Sequence, residues 1–219
     1  MKIIYADHAA TTKIRKEVLE EMMPYLEEKY GNPSSAYPLG IDNKKAIDKA
    51  KSQVARAIGA EDSREIYFTS GGSESNNLAI KGVARARKHI GKHIITSKIE
   101  HMAVLNSCKE LEDEGFDITY INVDSDGVIK IDELENSIRE DTILISIMFA
   151  NNEIGTIQPI YEIGTIAKKY NIPFHVDAVQ AVRKFKNKCT KIKYRFIIDI
   201  STQILWTKRS RCSLCKKWN

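Results

Sequence analysis

Thr69-Ser-Gly-Gly-Ser-Glu-Ser-Asn76 lies where a β-branched run gives way to a helical one. Its small residues let the backbone approach a ligand. The opening N–H groups of the following helix point outward with the positive end of the dipole, so the segment can cradle a phosphate. The same residues also suit an ordinary helix start, with Ser73 as the cap and Glu74 in the first turn. His101, after Ile99-Glu100 at the next strand-to-helix junction, can be a structural hydrogen bonder. Beside a phosphate cradle it can instead stack its ring on an aromatic cofactor and carry protons. Asn151-Asn152-Glu153-Ile-Gly155 has the composition of a turn. In His175-Val-Asp177-Ala-Val-Gln180 an acid ends an apolar run, which is costly unless the carboxylate meets a cation or donors. A protonated pyridine nitrogen is such a cation, and an aspartate partner keeps that ring an electron sink.

The elements that must position these residues alternate. Residues 14–29 predict an amphipathic helix that Pro24 bends or breaks, 31–35 a loop, and 42–58 a second helix ending before Gly59. Strand-like runs follow at 66–69, 93–96, 118–121, 142–147 and 173–176, separated by helical stretches at about 74–88, 102–114, 131–139 and 160–170. Strand and helix in alternation predict an α/β fold, a mostly parallel sheet with helices on both faces. Such sheets bind ligands at the carboxyl ends of their strands, where all four polar clusters fall.

At 219 residues and 42% hydrophobic, the chain can bury a sizeable core. No apolar run reaches the roughly 18 residues that span a bilayer, and no signal-peptide pattern opens the chain. Four irregularly spaced cysteines (Cys108, Cys189, Cys212, Cys215) predict no disulfide scaffold and a reducing cytoplasm. The net charge of +5 hides a split. From Arg183 onward there are twelve Lys and Arg against one acid, Asp199, leaving 22 bases and 28 acids in the remainder. The same stretch has no Gly, Pro, Ala or Glu. The one boundary is therefore placed there, with residues 1–182 as a domain segment and 183–219 as an aberrant basic tail.

Six motifs together resemble the cysteine desulfurases, class V, fold-type I pyridoxal-phosphate enzymes. They are Asp7-His-Ala-Ala-Thr-Thr12, Gly31-Asn-Pro-Ser-Ser35, Thr69 through Asn77, Glu100-His101, Asn151 through Gln158, and His175 through Gln180. The resemblance runs in order over residues 3–182. It implies the large domain of a fold-type I transferase, incomplete, and removal of sulfur from L-cysteine to give alanine and an enzyme persulfide for iron–sulfur cluster assembly. It further implies a homodimer and a scaffold or other protein as sulfur acceptor. Gly72 and Ser73 would hold the phosphate of pyridoxal 5'-phosphate, and His101 would stack on the ring and act as the catalytic proton carrier. Asn152 would lie near the ring's oxygen side, Asp177 would pair with the pyridine nitrogen, and Gln180 would hydrogen-bond the phenolic oxygen. No metal site is implied. Tyr37 departs from the family, which often has histidine there, at a peripheral position.

The family continues to Ser-Ala/Gly-His-Lys, whose lysine forms the Schiff base, then to a Gly-Pro-Lys-Gly loop and, much later, a persulfide cysteine. At the matching spacing this chain has Ser201-Thr-Gln203-Ile, and it stops before the cysteine, which predicts an inactive chain. Trp206 and Trp218 have the single codon TGG, so a frame shifted by one base reads glycine at both places, where the family has glycine. With synonymous codons chosen freely, the shifted frame restores the family's segment and its lysine. One extra base near Lys186-Asn-Lys188 accounts for the tail. Two alternatives remain. One is a non-catalytic partner of a complete desulfurase; the other is a tail that binds nucleic acid through its charge, or a metal through Cys212-Ser-Leu-Cys215. A lone CxxC without histidines, and lysines that an adenine-rich shifted frame encodes anyway, weigh against the second.

Overall fold

A computed structural model describes residues 4–8, 10–181, and the backbone of two strands at 196–200 and 211–215. The lysine-rich stretch after Arg183, Ser201 through Ile204, Trp206 and Trp218 lie outside the described residues.

The chain runs α1 (Lys16–Glu27), α2 (Pro38–Ile58), a 3-10 turn (Ser63–Glu65), β1 (Ile66–Thr69), α3 (Gly72–Arg87), β2 (His93–Ser97), α4 (Met102–Asp113) and β3 (Asp117–Ile121). It continues through α5 (Ile131–Asn136), β4 (Thr142–Met148), α6 (Ile160–Lys169), β5 (Phe174–Asp177), β6 (Phe196–Ile200) and β7 (Arg211–Cys215). The strands form one sheet in the order β1-β7-β6-β5-β4-β2-β3. Strands β3, β2, β4, β5 and β6 are parallel to one another, whereas β7 is antiparallel to both β6 and β1. The two reversals cancel, so β1 runs with the other parallel strands and its carboxyl end meets theirs.

Alternation along each strand sorts side chains onto two faces. One face joins Ile95, Ile145, Ile147, Phe174 and Val176 to Ala55 and Ile58 of α2, Leu134 of α5, and Ile160 and Ile163 of α6. The other packs Ile94 and Leu144 under Ala79, Ile80 and Val83 of α3 and Val104, Cys108 and Leu111 of α4. Each large apolar side chain buried this way contributes about 1.5–3 kcal/mol. On the outer side of the same two helices, Arg85 pairs with Glu114 at 2.5 Å and Lys81 pairs with Glu110. Such surface pairs contribute about 0–1 kcal/mol each, so the apolar stripe holds α3 over the sheet.

The predicted alternation is present, with shifts at element ends. Helix α1 carries Pro24 internally and runs on past it to Glu27. Helix α2 starts at Pro38, ahead of the predicted residue 42, since proline's fixed φ suits the first helical turn. Its end at Gly59 is as predicted, with φ +76° in the left-handed region that glycine occupies without strain. Helix α5 stops at Asn136 rather than 139. There the last turn tightens, the Ser137 and Ile138 amides reaching the Leu134 and Glu135 carbonyls at 3.2 Å each. Strands β6 and β7, which follow residue 183, occupy interior positions between β5 and β1.

Candidate cofactor site

The site forms where the carboxyl ends of β1, β2, β4 and β5 converge. Register places Met148 at the end of β4 beside Asp177 at the end of β5, and Thr96 of β2 beside Ser146 of β4. Each polar cluster of the sequence leaves the sheet at this end.

The connection from β1 to α3 is tied at both sides. The Thr69 hydroxyl meets the Ser75 hydroxyl at 2.6 Å, and the Glu74 carboxylate accepts from the Ser70 amide at 2.5 Å. Gly71 is the cap residue, so Ser73 is not the N-cap that its type suggested; it lies within the first turn, exposed, after buried Gly72. The first intrahelical bond runs from the Ser75 amide to the Gly71 carbonyl at 3.0 Å. The amides of Gly72, Ser73 and Glu74 precede it and have no carbonyl a turn behind them within the helix, which is the donor set a phosphate needs.

His101 caps α4, its Nδ1 accepting from the Ala103 amide at 3.1 Å. That bond leaves the proton of the neutral ring on Nε2, and the side chain is exposed rather than buried in the core. Asn152 sits in the turn after β4, half-buried. The turn is held by its neighbour Asn151, whose Oδ1 accepts from the Glu153 and Ile154 amides and whose Nδ2 donates to the Ile99 carbonyl at 3.0 Å. The link from Asn151 to Ile99 ties the Asn152 turn to the His101 turn. Gln180 is half-buried just beyond β5. Asp177 is 5% exposed; its Oδ1 accepts from the Val179 amide at 3.1 Å and its Oδ2 from Asn76 Nδ2 at 3.0 Å. The tertiary structure thus brings Gly72, Asp177 and the His101 and Asn152 turns to one end of the sheet.

Beneath them lies a layer of buried polar groups. Glu100, 5% exposed, takes the Ser97 hydroxyl (2.6 Å) and the Met148 amide (3.0 Å) on Oε1, while Oε2 has no partner among the described residues. Burial pushes its carboxyl up to about 8, and the nearby Asp177 charge adds to the rise. Glu100 is therefore protonated at neutral pH. His175 is fully buried, its Nδ1 bonded to the Ser146 hydroxyl at 2.8 Å, and burial pushes it down to about 3, so it stays neutral. Burial likewise pushes the Cys108 thiol up to about 12. A thiol held protonated in the core is unsuited to nucleophilic sulfur chemistry.

The donor set fits pyridoxal phosphate. It offers a helix amide cradle for a dianion and a buried carboxylate for a cationic ring nitrogen, with an imidazole free to exchange a proton at Nε2. Asn76 and Glu100 carry no assigned role in the sequence reading. Asn76 was detectable as the residue one helical turn after Gly72, and so on the same face, and Glu100 as an acid flanked by apolar residues.

The Aminotransferase class-V family model matches residues 4–202. A cysteine desulfurase IscS of Methanosarcina thermophila is 61% identical over 181 residues, which are 83% of this chain and 45% of that protein. One from Dictyoglomus turgidum is 60% identical over 179 residues, again covering 45% of the relative. The chain thus spans about half the length of the curated relatives it matches. Among solved structures, a NifS-like protein superposes with a TM-score of 0.92 at 42% identity, over 96% of this chain and 58% of that one. The structure described as SspA in complex with cysteine gives 0.91 at 40% identity, covering 96% and 60%.

Proposed function

This chain belongs to the aminotransferase class-V family, and on that premise we propose that it carries the amino-terminal part of the cofactor domain of a cysteine desulfurase, which removes sulfur from L-cysteine with pyridoxal 5'-phosphate and leaves alanine. The observation that carries this reading is Asp177, a buried carboxylate held by two donors at the end of β5, on the same end of the sheet as the α3 amide cradle. Bound pyridoxal phosphate supplies an electron sink for the substrate's α-carbon. The Gly72 and Ser73 amides would hold its phosphate, Asp177 would pair with its ring nitrogen, Gln180 would bond its phenolic oxygen, and Asn152 would lie near its oxygen side. His101 would stack on the ring and carry a proton at Nε2, the nitrogen not occupied by the Ala103 amide. Delivery of the sulfur to an iron–sulfur scaffold or another acceptor, pairing with a second desulfurase chain, and residence in the reducing cytoplasm complete the reading. No helix among the described residues is long and apolar enough to cross a membrane.

We further propose that the residues from about 186 onward are read one base out of frame, so that Gln203-Ile204 stands where the Schiff-base lysine belongs. The abrupt change of composition at Arg183 supports this, as does identity to the relatives that extends over about 181 residues. Three experiments test these readings. Titration of the purified chain with pyridoxal phosphate should give saturable, non-covalent binding; a chain with no cofactor affinity refutes the site. Cysteine-dependent sulfide release should not exceed that of free cofactor, and sequencing of codons 183–190 should reveal the extra base. Turnover above that level, or an undisturbed frame, refutes the second reading.

A further inference from the structure

Resting on the cofactor reading above, we propose that Asn76 is a positioning residue that orients Asp177 toward the cofactor's ring nitrogen, making α3 a single rigid spacer between the phosphate end and the nitrogen end of the site. Asn76 is 1% exposed, and its Nδ2 reaches Asp177 Oδ2 at 3.0 Å across 101 residues of sequence. The Val179 amide holds Oδ1 from the opposite side, within Asp177's own turn. Two donors from different elements, one on each oxygen, set the plane of the carboxylate.

The spacing gives α3 its double role. Gly72 and Ser73 supply the cradle amides, and Asn76 follows Gly72 by four residues and Ser73 by three. It therefore lies on the same helix face, about 6 Å along the axis from Gly72. A helix does not stretch, so the cradle and the aspartate are held at a fixed separation once Asn76 is bonded.

The chemistry of the amide is as specific as its place. A lysine or arginine here would neutralise Asp177 and compete with a cationic ligand. An amide donates a hydrogen bond to the carboxylate and leaves its charge for the ring nitrogen. Asn76 Oδ1 has no partner among the described residues, an arrangement that makes sense if the residue is retained for what its Nδ2 does.

The test uses the full chain with Asn76→Leu, which keeps the volume and removes the donor, and Asn76→Ala as a second variant that leaves room if leucine does not fit. Pyridoxal phosphate and inorganic phosphate are titrated separately, and circular dichroism confirms the fold. Loss of a hydrogen bond to a buried charge should weaken pyridoxal phosphate on the order of tenfold to a hundredfold. Phosphate, which touches only the cradle, should bind as in the wild type. Unchanged cofactor affinity, or equal loss of both ligands, overturns the proposal. Should the wild-type chain bind no cofactor, the desulfurase reading fails by itself. Asn76 is then judged by the carboxyl-carbon NMR signal of Asp177. That signal should titrate at least about one pH unit higher without the donor, and an unmoved titration overturns the proposal.

Discussion

Glu100→Gln should remove the loss of stability that the folded chain suffers between pH 6.5 and 8. Burial raises the Glu100 carboxyl from 4.5 to about 8. A raised acid contributes its full stability below pH 4.5 and loses it as the pH climbs through 8. The loss is about 1.4 kcal/mol per pH unit, or ~5 kcal/mol across the whole window. His175 runs the other way. Lowered from 6.5 to about 3, it stays neutral in the folded chain, so its contribution is full above pH 6.5 and falls as the pH drops toward 3. Between pH 4.5 and 6.5 the two slopes cancel. This pair therefore predicts a plateau there, with loss on either side.

Glutamine keeps the shape of Glu100 and, through its Oε1, the bonds from the Ser97 hydroxyl and the Met148 amide, but it cannot ionise. The variant should gain about 2 kcal/mol over the wild type on going from pH 6.5 to 8, while retaining the acid-side loss from His175. Urea unfolding of the full chain at a series of pH values, followed by far-UV circular dichroism without added cofactor, measures the difference. Parallel curves for the two proteins above pH 6.5 would refute the assignment of Glu100 as the buried protonated acid.

Three further outcomes concern the frame around the site. Gly40→Ala should destabilise by about 1–3 kcal/mol, because its Cβ would lie 2.5 Å from the Asn32 carbonyl and 2.6 Å from that of Ser35; a neutral effect in thermal unfolding would contradict that packing. Asn43→Ala should cost about 1–3 kcal/mol, since the Asn43 amide bonds the Lys29 and Gly31 carbonyls at 2.6 and 2.5 Å. Proteolysis should also become faster at the loop 29–35, and an unaltered cleavage rate would count against the link. Cys108, buried and with its thiol pushed up to about 12, should resist alkylation at neutral pH until urea is added. Native-state labelling at that peptide by mass spectrometry would show the core to be open.

Much of the architecture was legible because hydrophobic period is a local property. Runs such as Thr142-Ile-Leu-Ile-Ser-Ile147 suit a strand covered on both faces, and β4 is buried throughout. Helix ends were less legible wherever local backbone geometry decided them: Pro38 starts α2 early, and α5 closes on short three-residue bonds after Asn136. Ser73 was read as a cap on residue type, but cap position depends on where the chain turns, and it turns at Gly71.

Residue types and their order, read together with the resemblance to the cysteine desulfurases, put forward the candidate set: a phosphate cradle at Gly72 and Ser73, a histidine at 101, a turn at Asn152, and an acid and an amide at 177 and 180. They also revealed the break at Arg183, because composition needs no coordinates. What only the tertiary structure decided was partnership. The bond from Asn76 to Asp177 joins residues 101 positions apart, and Glu100 meets Met148 across 48. That Glu100 keeps its proton depends on its burial and on the groups around it. Those are fixed only when β2, β4 and β5 lie side by side and α3 closes over them.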